Sequence, residues 1–390
     1  MNGFMSVLRQ TGLGPVSRVS LAVLFALGLA IAAMTVVDTP AAAQSGAVPP
    51  TTAQGLQQDP TGGRVPGDAL GGTSDSDFWR AIRGGVQGTV SIPDKKAGTL
   101  VQSEGETWRA IRNGPLSTWG AWALLGIVVV LALFFLVRGR IRIEHGWAGR
   151  TITRFAGYER LGHWLLAVSF VILALTGLNI LYGRYVLLPV LGPDVFGAIT
   201  HWGKLAHNYI SFAFMVGLAY VFLIWVANNI PNRYDVIWLL KGGGMFSKHS
   251  HPPARKFNAG QKILFWLVIL GGVSISLSGI ALLFPFQTHL FATTFEVLNI
   301  FGAGLPTDLT ALQEMQLAQL WHAIIGLVLV VAIIGHIYIG TIGMEGAFDA
   351  MGSGEVDLNW AKEHHGLWVD EVMARERSVD GGAAPPQPAE

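Results

Sequence analysis

The 390-residue chain is 51% hydrophobic and only 13% charged, against roughly a quarter charged in an ordinary soluble domain. So little charge excludes a water-soluble protein of this size, and 26 Lys and Arg against 25 Asp and Glu offer nucleic acid no net attraction. The absence of cysteine removes disulfides, Cys-ligated zinc and iron–sulfur sites, and any haem attached through thioether bonds.

At the start, Arg9 and Arg18 precede an apolar run from Leu21 to Val37, then Ala41-Ala42-Ala43 and Gln44. A basic stretch, an apolar stretch and small residues before a cut predict a secretory signal peptide over residues 1–43, cleaved after Ala43; the alternative is an uncleaved anchor. Residues 44–115 are rich in Gly, Pro, Ser and Thr and predict a mostly extended segment outside the cytoplasm. Within it Trp79-Arg80-Ala81-Ile82-Arg83 recurs as Trp108-Arg109-Ala110-Ile111-Arg112. Two copies do not make a solenoid. They serve either as Trp/Arg anchors gripping a partner or as a duplicated helical turn on the membrane surface.

Five stretches are then apolar and long enough to cross a bilayer: about Trp119–Val137, His163–Tyr182, Ile210–Val226, Ile263–Phe284 and Trp321–Gly343. Six arginines, Arg138 to Arg160, fill the first loop, and Arg233, Lys241, Lys248, Arg255, Lys256 and Lys262 fill the third. The segment Pro285–Gln319 has no Lys or Arg but carries Glu296, Asp308 and Glu314. The positive-inside rule therefore places the mature N-terminus outside, the basic loops inside, and a cytoplasmic tail over residues 346–390. Prolines 385, 386 and 388 predict a disordered end to that tail.

Four histidines, His163, His207, His322 and His336, stand in or at the edges of these spans. Ionisable groups at membrane depth are costly and usually functional, although a single one also serves as a hydrogen bond between helices. His322 and His336 lie on one helix about 21 Å apart and within about 40° of one face. His207 faces the outer end of that helix and His163 the inner end. Two imidazoles at one depth fill both axial positions of a haem iron without cysteine and leave no open site, which suits electron transfer. His201 remains an alternative to His207 on spacing alone. Gly162, Gly177, Gly217, Gly326 and Gly335 offer room for a flat macrocycle or simply for close packing.

From Arg154 to Val372 the sequence resembles the cytochrome b (gamma) subunit of membrane-bound, quinone-reducing formate dehydrogenases. The pieces are Glu159-Arg160-Leu161-Gly162-His163-Trp164, Leu205-Ala206-His207, Asn229-Ile230-Pro231, Lys256-Phe257-Asn258-Ala259-Gly260-Gln261-Lys262, Trp321-His322-Ala323, Gly335-His336-Ile337-Tyr338, and Trp360-Ala361-Lys362 with His364-His365. The resemblance implies two b haems, one held by His207 and His322 and one by His163 and His336, and it favours His207 over His201. It also implies a quinone site at Asn258, Gly260, Gln261 and His336 beside the inner haem. Read without it, Asn258 is the cap of the fourth span.

The expectation is an all-α membrane protein: a four-helix di-haem cytochrome b domain over residues 150–345, preceded by an extra transmembrane helix at 116–138. The resemblance implies a subunit in the bacterial inner membrane. It would take electrons from a periplasmic iron–sulfur (beta) subunit, fed by a molybdenum or tungsten catalytic (alpha) subunit, and pass them to quinone with proton uptake from the cytoplasm. No formate-oxidising site is expected on this chain, and a higher oligomer stays open. A subunit of a quinone-linked hydrogenase or other periplasmic oxidoreductase is the alternative. A haem-free transporter or assembly scaffold is a third reading.

Overall fold

In the computed structural model, residues 103–245, 247 and 249–380 are described. The leader expected over residues 1–43, the following segment with the first Trp/Arg copy, and the proline-rich end lie outside the described residues. From residue 103 onward the chain is helical rather than extended. Helix α1 (Ser103–Ile111) carries Trp108 of the second copy and runs through a π-turn over Arg112–Leu116 into α2 (Ser117–Arg138). Gly114 leaves the helical region there (φ −97°, ψ −106°), just before Pro115, whose missing N–H cannot continue the ladder.

Four long helices follow. Helix α3 (Gly157–Val186) packs along α4 (Leu188–Trp225). After α5 (Arg233–Leu240) comes α6 (Ala259–Leu283), then α7 (Leu290–Ile300) and α8 (Ala311–Tyr338), which packs on α6. Five stretches are long and apolar enough to cross a membrane: Thr107–Arg138, Gly157–Val186, Leu188–Asn229, Ala259–Leu283 and Ala311–Gly343. Three begin far earlier than hydropathy suggested: one at Leu188 instead of Ile210, a second at Ala311 instead of Trp321, and the first span at Thr107 instead of Trp119. The polar residues His201, Lys204, His207 and Asn208 hide the apolar character of the one from Leu188. In the one from Ala311, Gln313, Glu314 and Gln316 do the same, while Thr310 and Gln313 form the N-terminal capping box.

The helices approach closely where glycine permits. A Cβ on Gly217 of α4 would sit 3.1 Å from the Leu166 backbone of α3. One on Gly120 of α2 would lie 2.6 Å from both Leu327 of α8 and the Tyr182 hydroxyl, so the first span seats against the bundle at that point. Tyr182 also donates to the Ser117 carbonyl at 2.9 Å.

Within the segment expected to be a cytoplasmic tail, the stretch up to Val369 packs into the core. Strand β1 (Thr151–Thr153) pairs antiparallel with β2 (Glu355–Asp357), Ile152 opposite Val356. Between α8 and β2 lies the short α9 (Asp349–Gly352), and β2 leads into α10 (Leu358–Asp380). Val356, Trp360, Ala361 and Val369 are buried and join Phe155, Trp225 and Phe257 in one apolar cluster. Among the described residues, the two-stranded ribbon and an isolated bridge between Ile141 and Met344 are small exceptions to a mostly helical architecture.

Candidate functional site

The intramembrane histidines meet in two pairs. His207 of α4 faces His322 of α8 with ring centroids 6.1 Å apart and an interplanar angle of 63°. Behind each ring stands a hydroxyl from one of the other two helices. Thr176 donates its proton to the Ile172 carbonyl at 2.7 Å, so at His207, 2.8 Å away, its oxygen accepts from Nδ1–H. Ser278 donates to the Ile275 carbonyl at 3.0 Å and likewise accepts from Nδ1–H of His322 at 3.1 Å. A ring whose Nδ1 carries the proton leaves the Nε2 lone pair for a metal. The next residue in each case is glycine. A Cβ at Gly177 would stand 3.4 Å from Cε1 of His207, and one at Gly279 only 3.2 Å from Cε1 of His322. A hydroxyl followed by glycine, once on α3 and once on α6, thus orients a ring and makes room for it. The sequence reading singled out Gly177 but missed Thr176, Ser278 and Gly279; the repeated Thr-Gly and Ser-Gly dipeptides inside spans were the available signal.

The second pair is His163 of α3 and His336 of α8, with centroids 6.2 Å apart at 64°. His163 Nδ1 is sealed from solvent without a hydrogen-bond partner, a state that costs free energy unless something meets it. The neighbouring Trp164 pins the helix by donating to the Met351 carbonyl at 2.9 Å. His201 joins neither pair. It is exposed beside Trp202, whereas His207 faces His322.

The pair of His163 and His336 opens on a cavity of about 1570 Å³ whose wall also carries Asn258, Gly260, Gln261 and Trp238. Asn258 is the cap of α6: its Oδ1 accepts from Gln261 N–H at 2.9 Å, while Gln261 Oε1 accepts from Asn258 N–H at 3.0 Å. With both oxygens committed, each side chain has its NH₂ group to offer a ligand. Gly260 admits Trp238, which lies 2.9 Å from where a Cβ would be.

At the same end Arg154 is fully buried. It donates to the Lys256 carbonyl at 2.7 Å and to Nε2 of His365 at 2.9 Å, and lies over Phe155, Trp360 and Trp368. Nδ1–H of His365 donates to the Arg255 carbonyl at 2.8 Å. Burial pulls Arg154 down to about 9, leaving it charged at neutral pH, and holds His365 well below the usual imidazole range. His364, also lowered mainly by burial, falls to about 4. Glu159, another buried charge, accepts from Lys256 Nζ at 2.6 Å and Trp225 Nε1 at 2.8 Å.

Two imidazoles each about 2 Å from a shared metal through a ring nitrogen place their centroids about 6 Å apart, which both pairs satisfy. The ring spacing of both pairs, and at His207 and His322 also the hydroxyl partners and neighbouring glycines, fit bis-imidazole ligation of haem.

Long apolar helices with imidazoles paired at membrane depth define a helical membrane cytochrome. The chain belongs to the prokaryotic cytochrome b561 family, matched over residues 154–354, and membership implies haem b. It is similar to the nitrate-inducible formate dehydrogenase cytochrome b556(Fdn) subunit of Escherichia coli (strain K12), 27% identical over 237 residues that cover 60% of this chain and 98% of that one. The cytochrome b556(fdo) subunit of formate dehydrogenase from the same strain is 26% identical over 223 residues, covering 57% and 93%. The formate dehydrogenase cytochrome b556 subunit of Haemophilus influenzae is 26% identical over 233 residues, covering 57% and 85%. Helices α1 and α2 precede the family match.

Proposed function

We propose that this chain is the membrane-anchoring cytochrome b subunit of a formate dehydrogenase complex, passing electrons from a partner outside the cytoplasmic membrane to quinone near its inner face. The carrying observation is the pair of His–His contacts at 6.1 and 6.2 Å, one opening on the cavity that holds Asn258 and Gln261. His207 and His322 would hold one haem b, and His163 and His336 a second. Haem held by these histidine pairs would supply a one-electron carrier rather than an oxygen-reactive site.

The protein's own residues do the rest. Thr176 and Ser278 hold the outer rings in one tautomer. The NH₂ groups of Asn258 and Gln261 would donate to a quinone carbonyl, a reading supported by the cavity that they share with His336. The basic residues between Arg138 and Arg160, and from Arg233 to Lys262, support a cytoplasmic position for this end, with the segment around α7 outside. Protons for the quinone would then come from the cytoplasm. A chain with no cysteine needs an iron–sulfur subunit and a molybdenum or tungsten catalytic subunit as partners, as the formate dehydrogenase names of its relatives suggest.

The test is a haem titration with a visible spectrum on the purified chain, then reduction of the intact complex by formate or by hydrogen. Two b haems per chain, reduced by formate, is the expected result. Reduction by hydrogen alone would reassign the donor, and a chain without a reducible b-type signal would end the cytochrome reading.

A further inference from the structure

We propose that Glu144, His251, Glu363 and His364 form the route by which protons reach the inner cavity from the aqueous phase. This rests on the quinone-reducing reading of that cavity and names the residues that would serve it. Quinone becomes quinol by taking up two electrons and two protons; the electrons come from the histidine-paired side and the protons need their own path. Asn258 and Gln261 are not acids at physiological pH, so they orient a carbonyl but supply no proton.

The four residues come from three separate segments. Glu144 lies in the loop before β1, His251 in the loop before α6, and Glu363 and His364 in α10. One carboxylate oxygen of Glu144 meets Nε2 of His251 at 2.6 Å and the other meets Nδ1 of His249 at 2.5 Å. The His249 side chain is 81% exposed, those of His251 and Glu144 30% and 28%, and that of Glu363 5%, so the file runs inward from water. Glu363 accepts from the backbone N–H groups of Glu144 and His145 at 2.9 and 3.0 Å and bonds the exposed His145 ring at 2.9 Å. His251 lies close enough to act electrostatically on both Glu363 and His364. All four residues line the cavity that also carries His336, Asn258 and Gln261.

A purely structural cluster would pair its buried nitrogens. Nε2 of His364 is instead sealed from solvent with no partner, although the residue lines the cavity. The charged groups around the file are those a relay needs. Glu144 faces His249 and His251; Glu363 faces His145 and His251; His364 faces Glu363, His251 and the buried Arg154. Arg140 and Arg142 also line the cavity and add positive charge. Hydrogen bonds from His249 and His251 hold the Glu144 carboxyl below its ordinary range. Burial pulls Glu363 upward, but the bonds from His145 and Glu144 outweigh it and the net shift is also down. Both therefore stand ready as carboxylates, and His364 stands as a neutral imidazole that accepts a proton on one nitrogen and releases one from the other. Each carboxylate is regenerated as it hands its proton on, while the His364 ring is left in the other tautomer and must flip or exchange its protons with water before it takes up the next one.

The test uses the intact purified complex carrying Glu144→Gln with His251→Gln, and separately His364→Gln. A water-soluble quinol analogue is mixed rapidly with the oxidised complex, and haem reduction and proton release are followed from about pH 6 to 8. By reversibility, quinol oxidation sends protons out along the same path. The double variant should be reduced at least about tenfold more slowly than the parent, with an altered pH profile, partial rescue by added imidazole and an unchanged dithionite-reduced spectrum. A parental rate and pH profile with the spectrum intact would overturn the relay. Should the double variant lose its haem, His364→Gln decides, because a parental rate there overturns the relay equally. A parent that quinol cannot reduce would refute the quinone site itself.

Discussion

At the scale of single residues, the site depends on small groups behind the imidazoles as much as on the imidazoles. Thr176 and Ser278 each spend their one proton on a carbonyl of their own helix and so must accept from the ring. Thr176→Val keeps the shape and removes the acceptor. Loss of such a second-layer hydrogen bond lowers metal affinity about tenfold to a hundredfold, so haem retention on dilution should fall for one of two haems and leave the other untouched. Gly279→Val should do more, because even a Cβ stands 3.2 Å from the His322 ring; a haem-to-protein ratio near one is expected. His336→Ala should remove the other haem and abolish quinone reduction while the His207–His322 haem stays reducible. Two haems retained in His336→Ala would refute the pairing. Asn258→Ala costs the α6 cap, about 1 kcal/mol, and takes away an NH₂ donor at the cavity. Slower quinol formation with full haem content would separate the second effect from the first.

At the scale of elements, α10 and the β1–β2 ribbon close the end of the bundle that holds the cavity. Trp360 is 4% exposed and lies 5.5 Å from the Arg154 guanidinium. Its replacement by Ala would cost about 3–5 kcal/mol in a well-packed core, and it would also leave the Arg154 charge less covered. His365 and His364 make this element sensitive to acid. Both are held neutral in the fold, chiefly by burial, His364 down to about 4 and His365 well below the usual value. A base whose folded pKa is depressed binds fewer protons than the unfolded chain, so stability falls as pH drops below the unfolded value of about 6.5. Glu144 and Glu363, lowered in the fold, add a loss that begins only near the ordinary carboxylate range. Thermal unfolding in detergent should therefore fall in temperature between about pH 6.5 and 4.5, and His364→Gln should flatten that part of the curve. A parent whose unfolding temperature is constant over that window would contradict the buried neutral imidazoles.

At the scale of the whole molecule, the histidine pairs draw only on α3, α4 and α8, with α6 lending Ser278 and Gly279. The first span supplies no histidine to either pair. It docks through Gly120 against Leu327 and Tyr182, and through Arg138, which donates to the Met245 carbonyl at 2.7 Å. A chain starting after Arg138 should still carry two haems, as read from its haem-to-protein ratio, and should differ from the full chain in how it holds its partners. Loss of both haems on truncation would show that α2 supports the bundle itself.

What the sequence determined by itself was the part governed by solvent: apolar runs of membrane length, basic loops, and imidazoles too costly at that depth to be incidental. His207 and His322, and His163 and His336, were legible because helical rise converts their spacing into depth. Tertiary structure alone decided what depends on approach between distant segments. It set His207 rather than His201 against His322, put hydroxyl and glycine behind those two rings, and buried Val356, Trp360, Ala361 and Val369 in the core although the composition around them resembles a surface tail. It also brought Glu144, His251 and Glu363 together. Hydropathy reports the preference of one segment for lipid or water, whereas a hydrogen bond between residues a hundred or more positions apart is written in no window of the sequence.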